Sequence, residues 1–416
     1  MHLGCIADDL TGATDVALML QNAGMRTIQV IGVPERDSAA PQDADAVVVA
    51  LKSRTSAPAD AVAQSLAALA WLRACGAQQF LFKYCSTFDS TDAGNIGPVA
   101  DALLDALGAG FTVACPAFPT NKRTIYQGHL FVGEQLLSDS PMKDHPLTPM
   151  RDANLVRVLG RQTRRKVGLV ALPTVRQGAA AIQAAFAKLM DAGHAYAVVD
   201  AVADEDLLAL GAACKGMALL TGGSGIAMGL PENFGIQPRA PAPLPAVGGY
   251  VAVLSGSCSA QSNAQVAHWM KARPGFRIDP LQLDAGEDLA AAALAWAGPL
   301  LAAGPVLVYA TAEPAAVQKA QSRLGAQRAG QLVEQCLARI AQGLVERGVR
   351  RLVVAGGETS GAVVNALGVG ALRIGPQIDP GVPWTVSSGE PRLALALKSG
   401  NFGALDFFDK ALGMQA

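Results

Sequence analysis

Short apolar runs alternate with stretches of helical spacing along most of this chain. Residues 3–7, 27–33, 46–51, 79–83, 111–115, 167–171, 196–200 and 218–220 read as strands. Ala/Leu-rich segments between them, such as 60–75 and 178–192, read as helices. The strand runs are continuously apolar rather than alternating, as expected where both faces of a sheet are covered. Strand–helix alternation of this kind predicts βαβ units and a mostly parallel sheet.

The pattern breaks once. Residues 237–245 hold four prolines in nine positions, and Gly248-Gly249 follow. Such a segment neither pairs in a sheet nor continues a helix, so it reads as a semi-rigid linker. A second series begins at Tyr250, with strands expected at 250–254, 306–309, 351–355, 372–374, 384–387 and 393–397. The expected fold is α/β with two domains, 1–240 and 248–416, each a mostly parallel sheet flanked by helices, and the active site in the interdomain cleft.

The stretch 289–312 carries no charge and is long enough for a membrane span. Gly298-Pro299 and Gly304-Pro305 divide it into an Ala-rich helix, a turn and the strand 306–309. It therefore reads as core, and no membrane partner is expected. The 416 residues suit two domains. A net charge of −1 gives no basic footprint for nucleic acid. Seven scattered cysteines without a CxxC pair argue against disulfides or a zinc site and fit a cytoplasmic protein. Asp8 and Asp9 interrupt the first apolar run, so no signal peptide is read there.

Candidate chemistry sits where strands end. Ala7-Asp8-Asp9-Leu10-Thr11-Gly12-Ala13 places two adjacent acids at the end of the first strand, where open α/β sheets keep their ligands. Like-charge repulsion there calls for a cation or polar ligand. A helix N-cap is the alternative, since Asp and Thr both cap well. Arg54 follows the third run and could fork onto a carboxylate. Lys83-Tyr84-Cys85-Ser86-Thr87-Phe88-Asp89-Ser90-Thr91 follows the next, and Gly97-Pro98 opens a helix after it. A lysine, hydroxyls and amides at a helix entrance suit a small polyhydroxylated anion. In a parallel sheet these strand ends would share one edge. The segment 116–150 reads as a long irregular loop, functional for that reason, with His129 as a ligand contact or base.

The second half carries three glycine-rich loops after strands: Ser255-Gly256-Ser257-Cys258-Ser259, Gly356-Gly357-Glu358-Thr359-Ser360-Gly361 and Lys398-Ser399-Gly400-Asn401-Phe402-Gly403. Together they suggest a nucleotide, through amides offered to phosphate oxygens. Neither a Walker A motif nor a dinucleotide fingerprint is present. Thr221-Gly222-Gly223-Ser224-Gly225 is either a fourth ligand loop or a packed helix entrance.

The runs ADDLTGA at 7–13, KYCSTFDST at 83–91, GNIGP at 94–98, GGETSG at 356–361 and KSGNFG at 398–403 resemble the four-carbon acid sugar kinases over nearly the whole chain. FPTNxRTxYQGHLFVG and SPMxxHPLTPM look most like the branch that phosphorylates O4 of a 3-oxo-tetronate; threonate and erythronate kinases are neighbouring branches. Lys122 departs from that pattern, where a glycine is expected. The resemblance implies ATP and Mg²⁺ as cofactors, the ion resting on the phosphates with few protein ligands. It implies that Asp8, Asp9 and Lys83 serve catalysis and that Arg54, Ser86, Thr87, Asp89 and His129 hold the sugar acid. Ser255, Gly356, Gly357, Glu358, Thr359 and Gly400 would contact ATP, no protein residue is assigned to a metal, and a homo-oligomer is compatible. A sugar-acid oxidoreductase would need the missing fingerprint, and a non-catalytic sensor would not need all three loops.

Overall fold

The computed structural model describes every residue except 36, 37, 39, 40, 42, 146, 240–243, 415 and 416. The chain resolves into two compact units, Met1–Pro241 and Ala242–Ala416. Of the junction expected at 240–248, residues 240–243 lie outside the described residues, as does Pro146 of the HPLTPM run.

The first unit runs β1 (Leu3–Ala7), α1 (Leu10–Asn22), β2 (Thr27–Ile31), β3 (Ala46–Ala50), α2 (Pro58–Ala74), β4 (Gln79–Lys83), α3 (Ile96–Leu107), β5 (Thr112–Cys115), β6 (Arg123–Tyr126), β7 (His129–Val132), β8 (Gln135–Leu136), α4 (Leu155–Gln162), β9 (Lys166–Val170), α5 (Leu172–Val175), α6 (Ala179–Asp191), β10 (His194–Val199), α7 (Asp204–Ala213) and β11 (Leu219–Gly222). Eight strands form a parallel sheet in the order β2-β3-β1-β4-β11-β5-β10-β9. Every residue of β1, β3 and β4 is buried, which is why these runs are unbroken by polar side chains. Gln79 and Lys83, the first and last residues of β4, are the exceptions, and Lys83 is a buried cation.

The second unit runs β12 (Tyr250–Ser255), α8 (Ala260–Trp269), β13 (Gly275–Arg277), α9 (Pro280–Asp284), α10 (Leu289–Ala297), β14 (Val306–Tyr309), α11 (Pro314–Leu324), α12 (Ala326–Glu346), β15 (Val349–Ala355), α13 (Gly357–Ala366), β16 (Ala371–Asp379), β17 (Val382–Ser387), β18 (Ala394–Lys398) and α14 (Phe407–Gly413). Its strands lie in the order β13-β14-β12-β15-β18-β17-β16, parallel as far as β18 and antiparallel beyond it. The uncharged stretch divides at its breakers into α10 and β14. Among the described residues no helix is long and apolar enough to cross a membrane.

One expectation fails. The segment after β5 is not an irregular loop: β6, β7 and β8 form a separate antiparallel sheet. Gln127 and Gly128 link β6 to β7 with φ values of 50° and 71°, the two-residue turn that matches strand twist. Gln-Gly signals such a turn less plainly than Asn-Gly. Buried Asp200, just past β10, fixes the turn by accepting from the amides of Gln127 at 2.8 Å and Gly128 at 2.8 Å. The short edge strand β13 and the nine-residue length of β16 also lay beyond the apolar pattern.

Lys122, one residue before β6, sits at φ 59° and ψ 34°. An L-residue pays about 1–2 kcal/mol there, which accounts for the glycine expected at this position. Lys122→Gly should raise stability by about 0.5–1 kcal/mol, after subtracting glycine's extra unfolded-state freedom. Urea denaturation checks this through a higher midpoint at unchanged slope.

Candidate active site

The C-terminal ends of β3, β1 and β4 are neighbours, and the side chains beyond them meet. Arg54 donates through Nε to Asp8 Oδ2 at 2.9 Å and through Nη2 to Asp8 Oδ1 at 2.7 Å. The same Nη2 donates to Asp9 Oδ1 at 2.6 Å. Its Nη1 faces Asp89 Oδ2 at 3.7 Å. The cation that two adjacent acids require is thus Arg54. Asn95 Nδ2 secures the arginine's loop, donating to Ser53 O at 2.7 Å, Ser56 O at 3.0 Å and Arg54 O at 3.2 Å.

The two acids divide their work. Asp9 is the N-cap of α1, accepting from the Gly12 amide at 3.1 Å and the Thr11 hydroxyl at 2.8 Å. Among the described residues Asp8 caps nothing, and its carboxylate accepts hydrogen bonds from Arg54 alone. Burial raises the Asp8 carboxyl above its ordinary range, and the Arg54 charge offsets this only in part. Burial acts on Asp9 too, but Arg54, Lys83 and the two cap hydrogen bonds outweigh it and hold that carboxyl low. Lys83 is buried between these strands, its Nζ donating to Tyr84 O at 2.7 Å.

The segment beyond Lys83 is tightly bent. Phe88 and Asp89 have φ values of 64° and 36°, costly for residues with a Cβ. Thr87 donates to Asp89 Oδ1 at 2.6 Å, and half-buried Ser86 precedes them at the turn. His129 stands apart. Its Nδ1 lies 2.8 Å from Gln127 O, and it lines a cavity of about 910 Å³ with Ser90, Thr91, Met150, Arg151 and Arg157. Among the described residues no hydrogen bond or ion pair joins His129 to the Arg54 cluster.

Asp15 was not foreseen. It lies on the buried face of α1, one helical turn beyond Thr11, and accepts a short hydrogen bond from Ser224 Oγ. An acid inside the apolar run of α1 was the available signal. Burial pushes its carboxyl up to about 6, against the opposing charge of Lys83. Ser224 belongs to the Thr221–Gly225 run, whose glycines permit close packing. A Cβ on Gly222 would stand 2.3 Å from Cys115 O, and one on Gly223 would stand 2.7 Å from Pro116 O.

In the second unit the three glycine loops follow β12, β15 and β18, which are adjacent. They interlock. A Cβ on Gly256 would stand 2.1 Å from Thr359 Oγ1, and one on Gly400 would stand 2.6 Å from Ser257 Oγ. Gly356 has φ 124° and donates its amide to Lys398 O at 2.8 Å. α13 starts directly after Gly356, and the positive dipole end of a helix there suits phosphate. Ser255 Oγ is buried and lies 2.6 Å from Thr311 Oγ1, a partner the sequence reading did not name. Lys398 is buried, and its Nζ donates to Gly400 O at 2.9 Å, Ser399 O at 3.0 Å and Ser262 Oγ at 3.2 Å. Burial pushes its ammonium down to about 7.

Two outcomes follow. Arg54→Ala leaves buried Asp8 unpaired and Asp9 without its cation and should cost about 3 kcal/mol of stability, and adding Asp8→Asn should return part of it. Urea midpoints of the single and double variants decide this; an additive double variant would deny the coupling. Asp15 binds its proton more tightly folded than unfolded. Its stabilising share, taken against Asp15→Asn, should be full below about pH 4 and fall by up to about 3 kcal/mol as pH rises through 6. Melting temperatures of both proteins from pH 4 to 8 test the sign.

Comparison with known proteins agrees with this division. Residues 3–230 match the sugar-binding N-terminal domain family and residues 252–408 the nucleotide-binding C-terminal domain family. The chain is 62% identical to a 3-oxo-tetronate kinase of Burkholderia multivorans, over 99% of this chain and 96% of the relative. It is 61% identical to a 3-oxo-tetronate kinase of Pseudomonas fluorescens, over 100% and 97%. A crystal structure from Salmonella typhimurium LT2 superposes with a TM-score of 0.88 at 42% identity, covering 100% of both chains. The Haemophilus influenzae protein HI1011 gives 0.79 at 45% identity, covering 99% of both. With both domain families matched in order and relatives aligned end to end, the chain belongs to the four-carbon acid sugar kinase family.

Proposed function

We propose that the protein is an ATP-dependent kinase that phosphorylates the 4-hydroxyl of a 3-oxo-tetronate in carbohydrate catabolism. One observation carries the reading above the others. The unit matching a sugar-binding family gathers charged side chains at its strand ends, while the unit matching a nucleotide-binding family gathers backbone amides and glycines at its own. A four-carbon acid needs side-chain donors and acceptors; phosphates need amides in a cradle.

In this reading Asp8 accepts the proton of the attacking hydroxyl. Its carboxyl is less strongly held in the anionic form than that of Asp9, which the α1 cap occupies. Arg54 fixes Asp8 in place, and Lys83 supplies positive charge beside the reacting oxygen. Such transfers rest on positioning and charge neutralisation rather than on covalent chemistry. Thr87, Asp89 and Ser86 face the polyol, and His129 stays available from the adjoining cavity. Ser255, Gly356, Gly357, Glu358, Thr359 and Gly400 receive ATP. The loops suit a nucleotide, because Gly256 and Gly400 let them approach more closely than a Cβ would allow and so bring their backbones together. Mg²⁺ accompanies the nucleotide phosphates, where the ion keeps several waters and needs few protein ligands. Seven free cysteines, Cys85 among them with its thiol pushed up to about 12 by burial, suit a reducing cytoplasm.

Purified protein should consume ATP only when a four-carbon acid is present, fastest with a 3-oxo-tetronate. Greater turnover with threonate or erythronate would move it to a neighbouring branch, and acid-independent consumption would end the reading. Asp8→Asn should lower kcat by about 10²–10⁴-fold at near-normal melting temperature. Gly356→Val should abolish ATP binding by calorimetry while acid binding persists.

A further inference from the structure

Among the described residues of the first unit seven buried side-chain polar atoms have no hydrogen-bond partner, and three of them belong to one neighbourhood. They are Asp15 Oδ1, Arg123 Nε and Asn121 Nδ2. Asp15 is 5% exposed, and its other oxygen is taken by Ser224. Arg123 turns back on its own loop, its Nη1 donating to the main-chain Asn121 O, which keeps the guanidinium beside residue 121. The Arg123 charge acts on Asp15, yet the two do not close into an ion pair. A buried donor or acceptor left unmet costs about 1–3 kcal/mol, more when charged. Three in one place mark a surface shaped for something other than protein.

The fold explains the convergence. Asp8 and Asp9 leave β1, Lys83 ends β4, Ser224 follows β11, and Asn121 and Arg123 lie on the exit from β5. These are four successive strands of the sheet. Strands stand about 4.8 Å apart, so the β1 and β5 exits are separated by about 14 Å, a gap that side chains reaching in from both ends shorten. That distance suits a four-carbon acid with side chains meeting each end. The β1 end holds acids already bound to an arginine. Arg54 has committed Nε and Nη2 to Asp8 and Asp9, and its remaining nitrogen faces Asp89, so a further carboxylate there would meet three acids. The β5 end offers uncommitted donors instead.

We propose that Arg123 Nε and Asn121 Nδ2 donate to the substrate carboxylate, and that Asp15 Oδ1 accepts from the hydroxyl on the adjoining carbon. This rests on the kinase reading above and assigns the orientation of its substrate: carboxylate toward β5 and the reacting hydroxyl toward Asp8. Arg54 is then a positioning residue for Asp8 rather than the carboxylate receptor.

Calorimetric titration of threonate into nucleotide-free protein reads the site without turnover, with erythrulose as the neutral four-carbon control. Wild type should bind the acid and discriminate against the ketose. Arg123→Gln should weaken the acid about 50-fold, the scale of a lost charged hydrogen bond, with little change for ketose or ATP. Asn121→Asp, which keeps the shape and sets a negative charge beside the carboxylate, serves if Arg123→Gln fails to fold. Unchanged acid affinity in a folded variant overturns the proposal, as does equal loss for acid and ketose. Failure of the kinase reading alone would look different: acid binding would stay sensitive to Arg123 while no acid stimulated ATP consumption.

Discussion

Two neighbouring carboxylates at a buried strand end cannot both remain charged without a cation among them, and the first unit is arranged around that constraint. Arg54 meets it with a forked contact to Asp8 and a third bond to Asp9. The consequences spread outward. Asn95 must hold the arginine's loop, Asp9 is left to cap α1, and Lys83 adds charge from the next strand. What results is one carboxylate committed to structure and another held in place but not consumed by it. Environment, not residue type, separates two acids that are adjacent in the chain.

The second unit solves a different problem at the C-terminal edge of its own parallel strands. Its three loops after β12, β15 and β18 approach one another more closely than side chains allow. Glycine at 256, 356 and 400 permits the approach, and Lys398 holds the Gly400 loop from beneath by donating to three oxygens. A buried lysine without a carboxylate partner is expensive. Its cost is offset in part by the three oxygens it meets, and the Ser259 and Ser262 hydroxyls join it on Gly400 O.

Much of this was legible in the chain. Unbroken apolar runs identified the parallel strands because burial on both faces leaves no room for alternation. Adjacent strand ends then brought Asp8, Arg54 and Lys83 together, and the three glycine loops likewise. The β6–β8 sheet escaped because its strands are short and its turn is Gln-Gly. Pairing between side chains was beyond reach as well. Nothing in the order of residues says that Arg54 would be claimed by Asp8, or that Asp15, twelve residues before the next strand, would face Ser224 across the sheet. Those contacts depend on strand order, which periodicity does not encode. The departure at Lys122 was visible as a mismatch, and its left-handed backbone supplies the reason.

If Asp8 is the base, only the hydroxyl presented to the β1 end can be phosphorylated. Proton-coupled phosphorus NMR of the product made from a 3-oxo-tetronate and ATP reads this directly. Transfer to O4 places the phosphate beside a CH₂ group, so its resonance should split into a triplet. A doublet, from phosphate on the single-proton carbon next to the carboxylate, would contradict the orientation and the role given to Asp8.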